Sequence, residues 1–219
     1  MDALTFPNWR TISSEMRQLL QSLGQLEITQ SFYLAGGTAL ALQIGHRRSY
    51  DFDFFSETDS VNDRTAQAIL AALEDYSPEV IEKTFGNLVL VANNVRTGFF
   101  SYGYPLIQDP VELEKVKLAS IMDIGLMKCD ALITRGSRKD FYDLYCISSH
   151  LPLSRLLDFA EKKYTGFRDF PLQVLEAITL FENADRDFQP DLIQEIAWEA
   201  VKQWFVEQAK ELGKNWFGD

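Results

Sequence analysis

Two short segments, Gly36-Gly37 and Asp51-Phe52-Asp53, constrain the fold of this chain more than any other feature. The apolar run from Phe32 to Ala35 ends at the glycine pair and is typical of a strand that turns sharply. The second segment alternates acidic and aromatic residues, so as a strand it places both carboxylates on one face. We therefore expect two adjoining strands joined by a short helix, Thr38 to Ile44, whose N-terminus faces the glycines.

This arrangement suits the binding of a nucleoside triphosphate (NTP). Glycines let the backbone approach phosphate closely, and a helix N-terminus presents free N–H groups and the positive end of its dipole. Asp51 and Asp53 can share divalent cations that activate an attacking hydroxyl and stabilise a leaving pyrophosphate. Each motif alone is most often an ordinary turn or a solvated acidic pair, but their joint occurrence favours nucleotidyl transfer.

The composition predicts a globular protein. With 219 residues, of which 46% are hydrophobic, the chain can bury a core as one domain or as two small, tightly packed ones. It has no run of about 18 uncharged apolar residues. The first ten residues lack the basic and apolar regions of a secretory signal. We therefore expect a cytoplasmic protein that does not bind membranes.

The formal net charge of −11 argues against broad, sequence-independent binding to DNA or RNA. Such binding depends on neutralisation of phosphates by Lys and Arg. Basic residues do cluster at 46–48 and 135–139. Either cluster is equally consistent with a local interaction surface and with a solvated face.

Cysteine and histidine are too scarce to build a disulfide framework or a structural zinc site. The chain has two of each, Cys129 and Cys146, His46 and His150. We expect both thiols to be reduced and largely buried, and His46 to serve packing or hydrogen bonding. Any metal is expected to be a hard cation bound by carboxylates.

The pattern of the chain changes after residue 112, from mixed helix and strand to helix alone. We therefore expect an α+β fold, with an α/β domain over 1–112 and a helical domain over 113–219 packed against it. Predicted strands are 32–35, 50–55, 80–85, 87–92 and 96–102. Predicted helices are one within 9–30 that ends near Gly24, followed by 38–44, 62–76, 113–117, 119–134, 139–149, 153–163, 171–181 and 190–211.

Three blocks of the sequence, "GGTAL", "HRRSYDFDFF" and "MKCDALITRGSRKDFYDLY", resemble the AbiEii and AbiGii toxin family of nucleotidyltransferases within the DNA polymerase β superfamily. The resemblance covers roughly residues 32–148. It implies a polymerase β-like N-terminal half followed by a helical half. It also implies the toxin of a type IV toxin–antitoxin or phage-defence system. Such a toxin transfers NMP from an NTP to an acceptor such as tRNA and has a cognate antitoxin.

The resemblance also assigns roles to individual residues. It implies that the triphosphate is bound by Gly36, Gly37 and Thr38, that Asp51 and Asp53 hold Mg²⁺, and that Arg47, Ser49, Lys128 and Asp140 complete the nucleotide-binding and catalytic set. The last two have structural alternatives. Lys128 could be a surface helix residue, and Asp140 lies three residues after Ser137, where an acid serves a capping box. Asp143 is expected to be structural, paired with Arg135 or Arg138.

The sequence departs from the superfamily in one respect. A third carboxylate usually stands on a later strand, where it can act as the base for the incoming hydroxyl. The candidate strand, "RTGFFSYGYP", has no acid, and Ser101 occupies about that place. One alternative is therefore a catalytically inactive nucleotide-binding protein.

A further alternative is a partner-binding module. C-terminal aromatic residues favour it, although the same rings could fill a helical core. The residues concerned are Trp198, Trp204, Phe205, Trp216 and Phe217.

Overall fold

The computed structural model describes residues 2–58 and 60–217 and divides the chain into two compact units, Met1–Ser120 and Ile121–Asp219. The first contains a mixed seven-stranded sheet with helices, and the second is helical. This confirms the predicted α+β class and the order of its halves. No described helix combines the length and the apolar character needed to cross a bilayer.

The sheet of the first unit has the strand order β3-β4-β5-β2-β1-β7-β6. Its strands are β1 (Tyr33–Leu34), β2 (Asp51–Ser56), β3 (Glu79–Thr84), β4 (Asn87–Ala92), β5 (Val95–Ser101), β6 (Val111–Leu113) and β7 (Val116–Leu118). Its helices are α1 (Ser14–Leu23), α2 (Gly36–Ile44) and α3 (Asp63–Ala72). Strand β2 lies at the centre, antiparallel to β1 and parallel to β5.

Alternating burial in β2 determines which face of the sheet carries polar groups. Phe52, Phe54 and Ser56 are buried on one face, whereas Asp51, Asp53 and Phe55 are half-buried on the other. Burying the aromatic side chains removes a large apolar area from water, which holds the strand in this register. The two carboxylates therefore face away from the aromatic core.

The helices of the first unit begin where their capping residues predict. The Ser13 side chain accepts a hydrogen bond from the backbone N–H of Met16, and Asn62 accepts from Arg64 and Thr65. The apolar stripe of α1 is buried, as its periodicity predicts. Helix α1 ends at Leu23, beside Gly24 as predicted. It begins later than residue 9, because the 3₁₀ turn Trp9–Thr11 precedes it.

The helix predicted at 113–117 is wrong, since this segment is the hairpin β6–β7. Its turn residues, Glu114 and Lys115, have φ of 51° and 63°. Such a turn normally carries Asn or Gly, and Glu-Lys is a helix-favouring pair, which explains the wrong prediction. The hairpin joins the sheet through the parallel pair β1–β7 and therefore belongs to the first unit. The unit boundary after Ser120 therefore falls later than residue 112.

The second unit consists of helices throughout its regular structure. They are α4 (Ile121–Thr134), α5 (Arg138–Ile147), α6 (Leu153–Leu157), α7 (Ala160–Lys163), α8 (Phe170–Ala177), α9 (Glu182–Arg186) and α10 (Trp198–Phe217). The predicted helix 153–163 is divided into α6 and α7, and α9 was not predicted. The last helix begins later than residue 190 and ends later than 211.

Aromatic side chains of the second unit pack against each other, as the core alternative predicted. Phe205 is fully buried, and its ring centroid lies 5.1 Å from that of Phe141. Trp198 packs edge-on against Phe141 at 5.6 Å, and Trp204 against Phe205 at 4.7 Å. Trp216 is 38% exposed, and the Phe217 side chain lies outside the described part.

The two thiols of this unit differ in burial. Cys129 is buried and Cys146 is half-buried, and neither is part of a disulfide. Burial, together with the nearby Asp130 carboxylate, raises the pKa of the Cys129 thiol to about 12.

Candidate active site

Asp51 and Asp53 face a common point on the open face of the sheet. The Arg96 guanidinium marks this point, because its Nη1 lies 3.7 Å from Asp51 Oδ2 and 3.7 Å from Asp53 Oδ1. About one-third of the Asp51 side chain and one-quarter of the Asp53 side chain remain exposed. The two carboxylates are therefore close enough, and open enough, to bind one cation together.

The glycine turn lies directly beside this acidic pair. The backbone N–H of Ala35 donates to the Asp53 carbonyl oxygen at 3.0 Å, and α2 begins at the next residue. Gly36 has φ +64°, and a Cβ there would lie 3.2 Å from Asp53 Oδ2. A side chain would thus be both strained and crowded against the carboxylate. Helix α2 starts two residues before the predicted Thr38, which brings its N-terminal N–H groups to the glycines themselves.

Arg47 lies over the second glycine. A Cβ at Gly37 would overlap the Arg47 guanidinium, which is nearly fully buried and donates to the Arg48 carbonyl oxygen at 3.0 Å. Because Gly37 has no side chain, the Arg47 guanidinium fits next to the N-terminus of α2. This guanidinium and the helix N-terminus place positive potential on the same side of the turn.

Thr38 and Ser49 connect α2 to the start of β2. Their hydroxyls are hydrogen-bonded at 2.7 Å, and the Thr38 hydroxyl also donates to the Asp51 carbonyl oxygen. Both side chains are buried. These contacts hold the first residue of β2 against the first turn of α2, so the two hydroxyls position Asp51.

Arg96, rather than a third acid, stands across from the carboxylates on β5. The parallel register pairs Asp51 with Arg96 and Asp53 with Gly98. Ser101, the residue that the sequence suggested for this place, pairs with Ser56. Its side chain therefore lies on the other face of the sheet from Asp51 and Asp53. Its proposed position was therefore wrong, because alternation alone does not reveal which set of β5 residues shares the face of Asp51.

The donors at this site fit a hard divalent cation. Two carboxylates supply oxygen ligands, which Mg²⁺ prefers, and Mg²⁺ usually keeps several waters and binds through one or two carboxylates plus substrate phosphates. Within residues 2–58 and 60–217, no group of three or more His, Cys, Asp or Glu side chains could hold a metal. A cation at this point would therefore have at most these two carboxylates as acidic protein ligands among the described residues.

A second charged cluster lies within the helical unit, between α4 and α5. Lys128 Nζ is 2.8 Å from Asp140 Oδ1 and 2.6 Å from Asp143 Oδ2. Arg135 donates twice to Asp140, at 2.8 and 2.9 Å. Lys128 and both aspartates are buried, so the surface alternative for Lys128 is excluded. Asp143 has Lys128 as an ion-pair partner, which the sequence hypothesis did not include.

The environment of Asp140 favours its charged form. Burial alone raises the pKa of this carboxyl, but Lys128 and Arg135 outweigh burial and hold it well below its ordinary value. The Ser137 hydroxyl also donates to Asp140, at 2.5 Å, instead of capping the backbone of α5. Asp140 is therefore an ionised acceptor that orders the lysine and arginine around it.

The fold and the carboxylate pair beside the glycine turn define a nucleotidyltransferase, and comparison with known proteins specifies the family. The family model "Nucleotidyl transferase AbiEii toxin, Type IV TA system" matches residues 18–211. The chain therefore belongs to the AbiEii nucleotidyltransferase toxin family. This confirms the resemblance drawn from the sequence blocks.

One relative by sequence is the uncharacterized protein aq_aa25 of Aquifex aeolicus, 33% identical over 94% of this chain and all of that protein. Among solved structures, MenT4, a nucleotidyltransferase toxin of Mycobacterium tuberculosis, has a TM-score of 0.53 at 15% identity, covering 91% of this chain and 86% of that one. The antibiotic-resistance factor ANT(2″)-Ia has a TM-score of 0.52 at 13% identity, covering 74% and 96%. These structures support the fold.

The structure brings the sequence-predicted residues together in two groups. The first unit holds one group around the α2 N-terminus: Gly36, Gly37, Thr38, Arg47, Ser49, Asp51 and Asp53. The helical unit holds the other, Lys128 and Asp140. Sequence reasoning missed Arg96 and Gly98, since only the β2–β5 register shows that they share the face of the acids.

Replacing Gly36 by alanine should lower both stability and nucleotide transfer. The αL backbone costs a non-glycine residue about 1–2 kcal/mol, and the new methyl group would press on Asp53 Oδ2. Gly45→Ala is a matched control at the other end of α2, because Gly45 has φ +70° and its Cβ would meet Asn8 instead. Thermal melting should register both changes, and transfer by protein that remains folded should fall only in Gly36→Ala. Equal activity of the two variants would contradict this role of Gly36.

Proposed function

We propose that this chain is a magnesium-dependent enzyme that transfers NMP from an NTP to an RNA acceptor, such as the 3′ end of a tRNA. One observation carries this proposal. Asp51 and Asp53 converge on a single point, where Arg96 lies 3.7 Å from both, directly beside a glycine turn that opens a helix. Membership of a type IV toxin family supports a role as the toxin of such a system, with a cognate antitoxin as partner.

The N-terminus of α2 is the proposed site for the β- and γ-phosphates. The backbone N–H groups of Gly36, Gly37 and Thr38 belong to the first turn of the helix, where N–H groups have no partner within the helix. Arg47 adds a buried positive charge over Gly37. Together these groups favour a polyanion and orient its terminal phosphates away from the aspartates.

Asp51 and Asp53 are the proposed ligands of Mg²⁺. When bound there, the metal would lower the pKa of the acceptor hydroxyl and stabilise the negative charge on the leaving pyrophosphate. Through that metal the carboxylates would position the α-phosphate, and Thr38 and Ser49 fix the start of their strand. Arg96 balances the two carboxylates without metal, and because 47% of its side chain is exposed it can turn towards phosphate when NTP binds.

Lys128 is the proposed nucleotide-binding residue of the helical unit, and Asp140 is the proposed positioning residue. Asp140 accepts hydrogen bonds from Lys128, Arg135 and Ser137, which saturates it as an acceptor. Its part in the reaction is therefore to hold these donors in place.

A nucleotide-binding protein without transfer activity is the second candidate. The observation that favours it is Arg96, a cation in the place where the superfamily usually has its third acid. This candidate predicts that Mg²⁺ and NTP raise the melting temperature through ligand linkage, while no nucleotide is transferred.

Transfer of label from each α-³²P-NTP to total RNA tests the proposal. We expect labelled RNA with Mg²⁺ and none after removal of divalent cations by EDTA, because the proposed chemistry needs the metal. Restoring activity by adding back Mg²⁺ in excess would exclude damage by the chelator. If none of the four NTPs labels the RNA, but NTP raises the melting temperature, the result would favour a nucleotide-binding protein without transfer activity. A purified cognate antitoxin is not needed for this assay.

A further inference from the structure

An aromatic platform continues the acidic face of the sheet. It consists of Phe55, Phe100, Tyr102 and Tyr104. The ring centroid of Phe55 lies 5.3 Å from that of Phe100 and 5.4 Å from that of Tyr102, and Tyr102 lies 5.1 Å from Tyr104. Four rings in mutual contact thus form one surface within the first unit.

The platform lies on the face opposite the main aromatic core of the sheet, and its Phe55 ring stacks on the buried Tyr33 ring at 6.1 Å. Alternation places Phe52, Phe54 and Phe99 on the opposite face, and these three are fully buried. The four platform rings are only half-buried. A fold that needed these rings only for packing would cover them, as it covers their neighbours on the other face.

The platform begins one step along the strand from the proposed metal ligands. Phe55 follows Asp53 on the same face of β2, and Phe100 follows Gly98 on β5, with Phe55 paired to Phe100. Gly98 has no side chain, and a Cβ there would overlap the Phe100 ring and lie 3.5 Å from Asp53 Oδ1. The glycine therefore lets this ring lie flat towards the carboxylates.

The strand order separates the proposed phosphate-binding turn from the platform. The α2 N-terminus, proposed to bind the leaving pyrophosphate, follows β1 on one side of β2, whereas Phe100 lies on β5, on the other side of β2. Phosphoryl transfer is in line, so the attacking oxygen approaches from the side opposite the leaving group. This argument rests on the proposed function, and it assigns the platform to the acceptor side.

We propose that the aromatic platform is the acceptor subsite and that it stacks the terminal base of a single-stranded RNA. Stacking on aromatic rings tolerates every base, because each has a π-face. Stacking engages the base and not the phosphates, so this contact does not itself depend on basic residues in a chain of net charge −11. The stacked nucleotide presents its terminal hydroxyl to the α-phosphorus. The new P–O bond forms there as the bond to the pyrophosphate oxygen breaks, the pyrophosphate leaves with the electron pair, and the hydroxyl proton passes to solvent.

Binding of a short, fluorescently labelled single-stranded RNA, measured by anisotropy without nucleotide, tests the platform independently of turnover. We expect Phe100→Leu and Tyr102→Leu each to raise Kd by about tenfold, within the range for loss of one base stack. Phe100→Tyr retains a ring and should restore binding. Phe6→Leu is the control, since Phe6 is an exposed ring, 86%, that lies outside the platform, in the chain segment that pairs beside β6.

Each outcome decides for or against the platform. Unchanged RNA affinity in both leucine variants, or no measurable RNA binding by the wild type, overturns the inference. So does a loss of NTP affinity, read from the Mg²⁺·NTP shift in melting temperature, with RNA binding intact, because the platform would then hold the nucleotide base. If Phe100→Leu does not fold, Tyr102→Leu decides, since Tyr102 lies beyond the end of β5. Failure of the proposed function is distinct: RNA binds the platform, yet no label is transferred.

Discussion

Asparagine in place of Asp53 should reduce nucleotide transfer by at least about a thousandfold while the protein stays folded. The variant keeps the shape of the side chain but loses a negative oxygen ligand of the proposed metal. Metal stabilisation of transition-state charge is worth several kcal/mol, and about 4 kcal/mol corresponds to a thousandfold in rate. Asp53 is one-quarter exposed, so its replacement should shift the melting temperature by only a few degrees.

Ser101→Ala is the control for this prediction, because Ser101 is the residue that the sequence placed nearest a third acid. In β5 it lies on the other face of the sheet from the two aspartates, so its hydroxyl should not contribute to catalysis. The rate of transfer should therefore stay at the wild-type value. Binding of Mn²⁺, followed by its EPR signal, gives a readout besides activity and should weaken in Asp53→Asn alone. A fully active Asp53→Asn would remove the basis for chemistry at this site.

Methionine in place of Lys128 should lower the melting temperature strongly and also abolish protection by NTP. The change leaves two buried carboxylates, Asp140 and Asp143, without this lysine. Removing one partner of a buried ion pair typically costs about 3–5 kcal/mol. For a protein of this size, that corresponds to a drop of roughly 6–20 °C, measured by thermal melting.

Lys163→Met provides a matched comparison within the same helical unit. Lys163 forms an ion pair with Asp123 at 2.9 Å, and both side chains are fully buried. Its loss should destabilise the protein to a similar degree without affecting nucleotide binding. Adding Mg²⁺·NTP should raise the melting temperature of Lys163→Met, as of the wild type, but not of Lys128→Met. Equal protection of both variants would assign Lys128 a purely structural role.

The acidic motif illustrates how much of the site could be predicted from sequence. Two aspartates separated by a phenylalanine, in an alternating apolar strand, necessarily share a face once the strand forms. The glycine pair and the following apolar helix are equally local features. Local stereochemistry therefore predicts both the glycine turn and the carboxylate pair. The roles of Lys128 and Asp140, by contrast, came from family resemblance.

The hairpin β6–β7 illustrates why other features were missed. Glu114 and Lys115 favour a helix intrinsically, yet both adopt positive φ in the turn. Pairing of β7 with β1 adds backbone hydrogen bonds and burial that outweigh the local preference. Here the helix propensity of the two residues is outweighed by contacts with residues far away in sequence. A single sequence does not reveal such contacts.

The sequence by itself determined the α+β class, the glycine turn and the shared face of Asp51 and Asp53, because these depend on alternation and on backbone freedom within a few residues. Only the tertiary structure decided which residues of other strands share the face of the two aspartates. The parallel register of β2 and β5 brings Arg96, Gly98 and Phe100 to that face, and the packing of α4 on α5 encloses Lys128 among acids. Register and packing arise from contacts between segments far apart in the chain, so local pattern could not predict them.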